Sequence, residues 1–269
     1  MTEDFSRYNG VGTPLYQAQQ RMLEILKVVD EIFRRNNIHY WIDAGTLLGA
    51  VRHKGYIPWD DDVDVAILRK EYAKAREALM RELPPEFRFV DAQTDSNYFD
   101  SCGRVKSVNS HVDIPEYRFQ KEQGLYIDIY PMEELANIRH KYFGEKIYGK
   151  LFRHRHNSGK VVTSSRTRRL ITKSVAVLLY PFASAIIAFI RHYGAKHPNI
   201  VTYGFALCTT SYPAYNPSWI LPTSELEFEG LKVQVPHDYD AYLHVFYGDY
   251  MQIPSPDKRV THSCNWKIW

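Results

Sequence analysis

The stretch "GYIPWDDDVDVAIL", residues 55–68, places four aspartates directly ahead of an apolar run. They are Asp60, Asp61, Asp62 and Asp64. Like charges at this spacing repel one another, and carboxylates beside a hydrophobic core lose hydration. The alternation in "VDVAIL" predicts a strand, and side chains two residues apart on a strand point to the same face. The run therefore destabilises the fold unless a cation compensates for it.

Oxygen-only ligands of this kind favour Mg²⁺ or Mn²⁺, with water and phosphate oxygens completing the coordination. Asp62 and Asp64 are the expected pair of metal ligands. Asp128, in the apolar strand "GLYIDIYP", is the candidate for a third carboxylate on a neighbouring strand. The alternatives are an acidic loop or helix-capping cluster for the run, and an edge-strand acid facing water for Asp128.

The turn "DAGT" precedes the acidic run and contains Gly45 and Thr46. A glycine-containing turn before a helix brings backbone N–H groups and a hydroxyl to a phosphate. A Gly-Thr pair is weak evidence by itself, so this assignment depends on the aspartates nearby.

The apolar periodicity predicts an α/β (α+β) fold. Helices are expected at 15–33, within 44–55, and at 69–83, 139–157, 168–193 and 238–248, and strands at 38–43, 63–68, 88–93, 102–108, 124–132 and 231–236. The expected organisation is a catalytic core at 1–138, a basic helical insertion at 139–200, and a C-terminal section at 201–269 that packs back on the core.

Charge is concentrated in the insertion. Residues 139–196 contain thirteen Lys or Arg and one acid, Glu145, which gives +12 in a chain of net charge +3. Within them lies the apolar stretch 174–190, too short to span a membrane comfortably and interrupted by Pro181. Basic flanks suit a helix lying on anionic lipid, whereas the alternative is a pair of core helices with a solvated basic face. The segment lacks a recognisable nucleic-acid-reading helix or aromatic platform, so no nucleic-acid partner is expected.

Three widely spaced cysteines, Cys102, Cys208 and Cys264, include no C-x-x-C pair and are expected to be reduced thiols. The N-terminal "MTEDFSRYNG" has no apolar signal region. The expected location is the cytoplasm, with peripheral contact at the inner face of the plasma membrane.

Longer blocks resemble one protein family. The block "YWIDAGTLLGAVRHKGYIPWDDDVDVAI" is similar to the signature of the LicD family, phosphocholine transferases that share the nucleotidyltransferase fold with fukutin-type ribitol-phosphate transferases. The resemblance continues in "GRVKSVNS", "GLYIDIYPMEEL" and "FEGLKVQVPHDYDAYLHVFYGDYMQIPSPDKR", and covers 38–138 and 228–262. It implies a nucleotidyltransferase-fold core with a mixed sheet flanked by helices, and it favours the bacterial branch that decorates teichoic acid.

The resemblance also implies roles for residues. The family's Gly-Thr turn falls on Gly45 and Thr46, and its three metal carboxylates fall on Asp62, Asp64 and Asp128, with Asp60 in the same acidic motif. The substrate-binding candidates among the other residues of these blocks are Arg52, Lys54, Trp59, Arg104 and Lys106. For each basic residue a surface salt bridge is an equal alternative, whereas for Trp59 a core position is favoured over a binding role. The zinc-binding cysteine cluster of the fukutin-related relatives has no counterpart, which favours the choline branch.

The implied reaction is transfer of phosphocholine from CDP-choline to a sugar hydroxyl of a lipid-linked glycan, such as a teichoic acid precursor, with release of CMP. Asp128 would complete the metal site or accept the hydroxyl proton. The alternatives are a CDP-ribitol or CDP-glycerol transferase, a glycosyltransferase using Asp62 and Asp64 as a D-x-D motif, and a non-catalytic scaffold at the membrane surface.

Overall fold

The computed structural model describes residues 4–156, 165–207, 212–261 and 266–269. The helices are α1 (Ser6–Asn9), α2 (Pro14–Arg35), α3 (Ala44–His53), α4 (Arg69–Glu82), α5 (Ile138–Gly144), α6 (Lys150–Arg155), α7 (Arg166–Lys196) and α8 (Tyr239–Tyr247). The strands are β1 (Tyr40–Ile42), β2 (Asp64–Leu68), β3 (Phe87–Val90), β4 (Gly103–Ser107), β5 (Ser110–Val112), β6 (Tyr126–Leu135), β7 (Ile200–Tyr203), β8 (Ser224–Phe228), β9 (Leu231–Val235) and β10 (Trp266–Ile268). Cys208, Cys264 and the predicted helical residue 157 lie outside the described residues.

The first long helix, α2, shows why periodicity predicted the fold well. Thr13 caps it by accepting a hydrogen bond from the backbone N–H of Tyr16, and Pro14 occupies the first turn, where its missing N–H costs nothing. The apolar positions at intervals of three and four are all buried: Leu15, Ala18, Met22, Ile25, Leu26, Val29, Ile32 and Phe33. The predicted amphipathic helix is therefore confirmed.

A mixed sheet forms the centre of the molecule, with the order β1-β2-β6-β4-β3. Its strands pair antiparallel except β2 and β6, which run parallel. The ten-residue strand β6 pairs along one edge with β2, and along the other first with β4 and then with β7. Because every residue of β2 is buried, the sheet is covered on both faces, as the predicted α/β class requires.

The basic segment packs against the end of β6. A cluster of apolar side chains joins α6 and α7 to the sheet: Leu135, Tyr148, Phe152, Ala183, Ile187, Ile190, Phe205 and Ala206. Pro181 lies inside α7, which nevertheless runs as one helix of 31 residues. The helix expected at 168–193 is therefore confirmed as one continuous helix, not the alternative pair, and only one of its sides is buried.

Residues after 203 return to the core. Strands β8 and β9 form a hairpin, and Phe228, Val233 and Val235 join the main hydrophobic cluster. Asp238 caps α8 by accepting a hydrogen bond from the N–H of Ala241, as predicted. The ring of Tyr242 in α8 stacks on Tyr215 at 3.7 Å between centroids. This section therefore covers α3 and β1, the two elements that precede the acidic run in the chain.

Candidate active site

An acidic cavity lies where β2 begins, between the core and the C-terminal section. Its volume is about 350 Å³, and it is lined by Ala44, Gly45, Ile57, Trp59, Asp60, Asp62, Asp64, Phe246, Tyr247, Lys258 and Val260. Asp62 lies in the segment before β2 and Asp64 is the first residue of the strand. The structure thus brings together three of the four aspartates of the run, together with the turn glycine.

Charged side chains form a row across three adjacent strands below this cavity. Asp64 of β2 is in register with Asp128 of β6, and Asp128 is in register with Arg104 of β4. Register partners in a sheet project to the same face. The Nε atom of Arg104 lies 2.6 Å from Oδ1 of Asp128, and both side chains are buried. The predicted third carboxylate is therefore next to the acidic cavity, paired with an arginine.

Gly45 and Thr46, predicted in a turn before a helix, lie in the first turn of α3 itself and support the start of β2. The hydroxyl of Thr46 accepts a hydrogen bond from the backbone N–H of Asp64 at 2.9 Å, so this buried side chain fixes the strand. At Gly45, a Cβ atom would lie 2.5 Å from Oδ2 of Asp60 and 3.9 Å from Oδ1 of Asp62. A larger residue here would displace the Asp60 carboxylate from its position in the cavity.

The acidic cavity carries strong electrostatic repulsion. Burial raises the pKa of Asp64 well above its usual range, and the charges of Asp62 and Asp128 raise it further. Asp62 and Asp64 both line the cavity with carboxylates, the ligand type that a hard divalent cation prefers, and such a cation would relieve their repulsion. The chemistry of Asp62 and Asp64 therefore fits Mg²⁺ or Mn²⁺.

Asp128 differs from this pair. Among residues 4–156, 165–207, 212–261 and 266–269, no group of three or more His, Cys, Asp or Glu side chains is arranged to hold a metal ion. Oδ1 of Asp128 contacts Arg104, and Oδ2 accepts a hydrogen bond from the Tyr130 hydroxyl at 3.4 Å. Its role as a third metal ligand stays a prediction.

Arg104 and Lys106 lie deep in the protein beside tyrosines. The guanidinium of Arg104 stacks over Tyr126 at 4.2 Å and Tyr117 at 4.6 Å. Arg104 also lines a cavity of about 280 Å³, to which Tyr117 contributes as well. Lys106 is 1% exposed, and its Nζ donates to Oε1 of Gln120 at 2.9 Å and to the carbonyl of Glu122 at 2.8 Å. Lys106 is therefore placed as an internal donor rather than at the acidic cavity.

The other three predicted binding residues occupy different places. Arg52, near the end of α3, donates to the carbonyl of Tyr250 at 2.8 Å and ties the C-terminal section to the core. Lys54 ends α3 in a left-handed conformation with φ 57° and is exposed. Neither residue lines the acidic cavity, whereas Trp59 does. The guanidinium of Arg259 lies 4.8 Å from the Trp59 ring.

Sequence reasoning missed residues that come from distant parts of the chain. Phe246, Tyr247 and Lys258 line the acidic cavity, and Lys258 brings a positive charge to it. Asp43 is fully buried and accepts hydrogen bonds from the hydroxyls of Tyr203 and Tyr242, each at 2.9 Å. The C-terminal block that resembles the family, 228–262, includes Phe246, Tyr247 and Lys258. However, no spacing rule connects that block with the aspartates.

Lys106→Met is expected to flatten the pH dependence of stability on the alkaline side. Burial, and to a smaller extent the charge of Arg104, lowers the pKa of Lys106 from 10.5 to about 7. At pH values between about 7 and 10.5, Lys106 is mostly protonated in the unfolded chain and mostly neutral in the folded protein. The free energy of unfolding therefore rises with pH over this range. Urea unfolding at roughly pH 7.5 and 9 should show wild type gaining about 1–2 kcal/mol relative to the variant.

Lys70→Met is the matched control, because Lys70 is exposed and pairs with Glu134 at the surface. It should leave the pH profile unchanged. Parallel profiles for wild type and Lys106→Met would mean that Lys106 stays charged in the folded protein.

Comparison with known proteins finds similar sequences. Residues 37–158 match the family model described as LicD/FKTN/FKRP, nucleotidyltransferase domain. The chain is 26% identical over 263 residues to the lipopolysaccharide cholinephosphotransferase LicD of Haemophilus influenzae, covering 92% of this chain and 95% of that protein.

Two further relatives match part of the chain. An uncharacterised protein of Rickettsia prowazekii is 42% identical over 127 residues, covering 47% of this chain and 44% of that protein. The human ribitol 5-phosphate transferase FKRP is 25% identical over 128 residues, covering 44% of this chain and 23% of that protein. Residues 37–158 therefore match the LicD/FKTN/FKRP nucleotidyltransferase domain, and the chain is homologous to the LicD cholinephosphotransferase of H. influenzae and, over less than half its length, to FKRP.

Proposed function

We propose that this protein transfers phosphocholine from CDP-choline to a sugar hydroxyl of a lipid-linked cell-surface glycan, such as a teichoic acid precursor, and releases CMP. Its relatives are named as transferases of cholinephosphate and of ribitol 5-phosphate, which supports a phosphoryl-group transferase. The observation that carries the proposal is the acidic cavity, which places Asp62 and Asp64 beside the buried pair of Asp128 and Arg104.

The proposed donor site is the acidic cavity. Asp62 and Asp64 would hold Mg²⁺, which when bound neutralises charge on the diphosphate. Lys258 adds a positive charge on the opposite, C-terminal wall. Trp59, Phe246 and Tyr247 offer aromatic surface, the usual partner of a quaternary ammonium group that cannot form ordinary hydrogen bonds.

The proposed acceptor approaches from a second cavity, between the core and the basic segment. This cavity measures about 500 Å³, and its lining includes Cys102, Arg155 and Tyr180. The Cys102 thiol, which lines this cavity, lies 3.6 Å from Oδ1 of Asp128. Asp128 is therefore separated from the second cavity by the Cys102 side chain. A sugar hydroxyl arriving here would attack the phosphorus that bears choline, the bond to CMP would break, and Asp128 would accept the hydroxyl proton.

Product analysis tests the proposal. The purified protein, Mg²⁺ and a glycan acceptor are incubated with CDP-choline, CDP-ribitol, CDP-glycerol or UDP-sugars in parallel. We expect acceptor-dependent release of CMP from CDP-choline, with phosphocholine on the acceptor. Turnover of CDP-ribitol or CDP-glycerol alone would assign the protein to polyol-phosphate transfer, and release of UDP would assign it to glycosyl transfer.

Mg²⁺ is expected to raise the melting temperature of the protein in the absence of substrate. A cation that binds the acidic cavity of the folded protein, and does not bind the unfolded chain, raises the free energy of unfolding by about 2.7 kcal/mol at a hundred times its Kd. This corresponds to a rise in melting temperature of roughly 5 °C. Differential scanning fluorimetry with Mg²⁺ or EDTA at matched ionic strength measures the shift.

The Asp62→Asn/Asp64→Asn variant is the comparison for this shift, because both carboxylates line the cavity. Its melting temperature should not respond to Mg²⁺. An equal shift in wild type and variant would place the cation elsewhere.

A further inference from the structure

The side of α7 that faces away from the core is apolar along most of its length. Leu178, Phe182 and Phe189 are 70%, 69% and 71% exposed. The exposed apolar side chains at intervals of three and four are Ile171, Val175, Leu178, Leu179, Phe182, Ile186, Phe189 and Tyr193. Such spacing places them on one helical face, which is called the outer face below. A helix on a water-facing surface normally presents polar residues there, so this face is suited to contact with something apolar.

The opposite side of the same helix is already packed. Ala176, Ala183, Ile187, Ile190 and Gly194 are buried against the protein. Near the end of the helix, Arg191 forms an ion pair at 2.6 Å with Glu133 of β6. The helix is long and apolar enough by length and composition to cross a membrane. However, crossing would draw β6 and its charges into hydrocarbon, so the packing favours a helix parallel to the membrane surface.

The charges at the ends of the outer face indicate the kind of membrane. Arg166, Arg168, Arg169 and Lys173 lie in the first turns of α7, and Lys196 ends it. Between Lys173 and Arg191 the sequence contains no charged residue. Helix α5 adds exposed Tyr142 and Phe143 in the same segment. An apolar band with cationic ends and almost no acids matches a bilayer with negatively charged headgroups.

We propose that the outer face of α7 docks this protein in the plane of an anionic lipid bilayer. The apolar side chains enter the boundary between headgroups and acyl chains, and the basic residues at the ends contact the lipid phosphates. This orientation holds the insertion next to the membrane, which is where a lipid-linked acceptor would be found. The docking itself does not depend on the proposed reaction.

Vesicle co-sedimentation of the full chain, without donor or acceptor, tests the proposal. We expect binding to vesicles of phosphatidylcholine and phosphatidylglycerol to be at least about tenfold stronger than to phosphatidylcholine alone, and to fall at high salt. Phe182→Ser/Phe189→Ser should weaken this binding by about tenfold or more, because two large side chains leave the apolar band. Arg166→Ser/Arg168→Ser should reduce the preference for the anionic lipid.

Met80→Ser is the control, since Met80 is 55% exposed on α4, away from this helix. It should bind like wild type.

Failure of wild type to bind anionic vesicles would overturn the proposal, as would equal binding to both vesicles. Resistance of the bound protein to both high salt and alkaline carbonate would show a spanning helix instead. A dimer in solution that the Phe182→Ser/Phe189→Ser variant abolishes would assign the outer face to a second copy. Because no substrate is present, each result is independent of the proposed reaction.

Discussion

Asp64→Asn is expected to lower kcat/KM for phosphocholine transfer by about 10³-fold or more. The Asp64 carboxylate lines the acidic cavity, and its pKa is raised by burial and by its acidic neighbours. An amide of the same shape removes the proposed cation ligand without opening a hole. It also removes one of the repelling charges, so the melting temperature in EDTA should equal or exceed that of wild type. Steady-state kinetics and thermal melts of the same preparation measure both effects.

Asp61→Asn is the matched control from the same acidic run. Asp61 is buried but does not line the acidic cavity. Its variant should keep an activity close to that of wild type. Wild-type turnover by Asp64→Asn would remove Asp64 from the active site. A loss of activity accompanied by a lower melting temperature in EDTA would show a structural role for Asp64 instead.

Arg104→Met is expected to lower the free energy of unfolding by about 3–5 kcal/mol. The substitution leaves the buried Asp128 carboxylate without its positively charged partner and removes the stacking of the guanidinium on Tyr117 and Tyr126. Asp128→Leu should be destabilising by a similar amount, since it leaves the arginine unpaired. Urea unfolding monitored by circular dichroism measures each loss.

The double variant Arg104→Met/Asp128→Leu separates pairing from packing. Removing both charges leaves no unpaired ion, so its loss should be smaller than that of either single variant. Arg35→Met is the surface control, because the Arg35 side chain is 65% exposed and pairs with Glu82. That variant should cost at most about 1 kcal/mol. Additive losses in the double variant would show that the two buried charges act independently.

Local patterns predicted most of the fold correctly. The helix α2, the helix α8 with its Asp238 cap, and the strand that follows the acidic run all appear where periodicity placed them. Shorter strands were not predicted, among them β5, β7 and β10. Each has only three or four residues, so its apolar alternation is too brief to stand out, and pairing with a distant strand decides its conformation.

The site was predictable in its acidic half only. Asp62 and Asp64 lie on one short stretch, where spacing alone places them together. The opposite wall, with Tyr247 and Lys258, comes from almost two hundred residues later, and no local rule can bring the two parts together. The pairing of Asp128 with Arg104 likewise depends on strand order, which the sequence pattern did not reveal.

Asp43 has a consequence for the order in which the chain is synthesised and folds. Its buried carboxylate is satisfied by Tyr203 and Tyr242, which follow it by 160 and 199 positions. While the ribosome is still making the C-terminal section, the emerging core holds a carboxylate that lacks these donors and is costly to bury. The segment around β1 and α3 should therefore consolidate only after α8 has emerged, so premature release of the nascent chain before Tyr242 should yield a product prone to proteolysis.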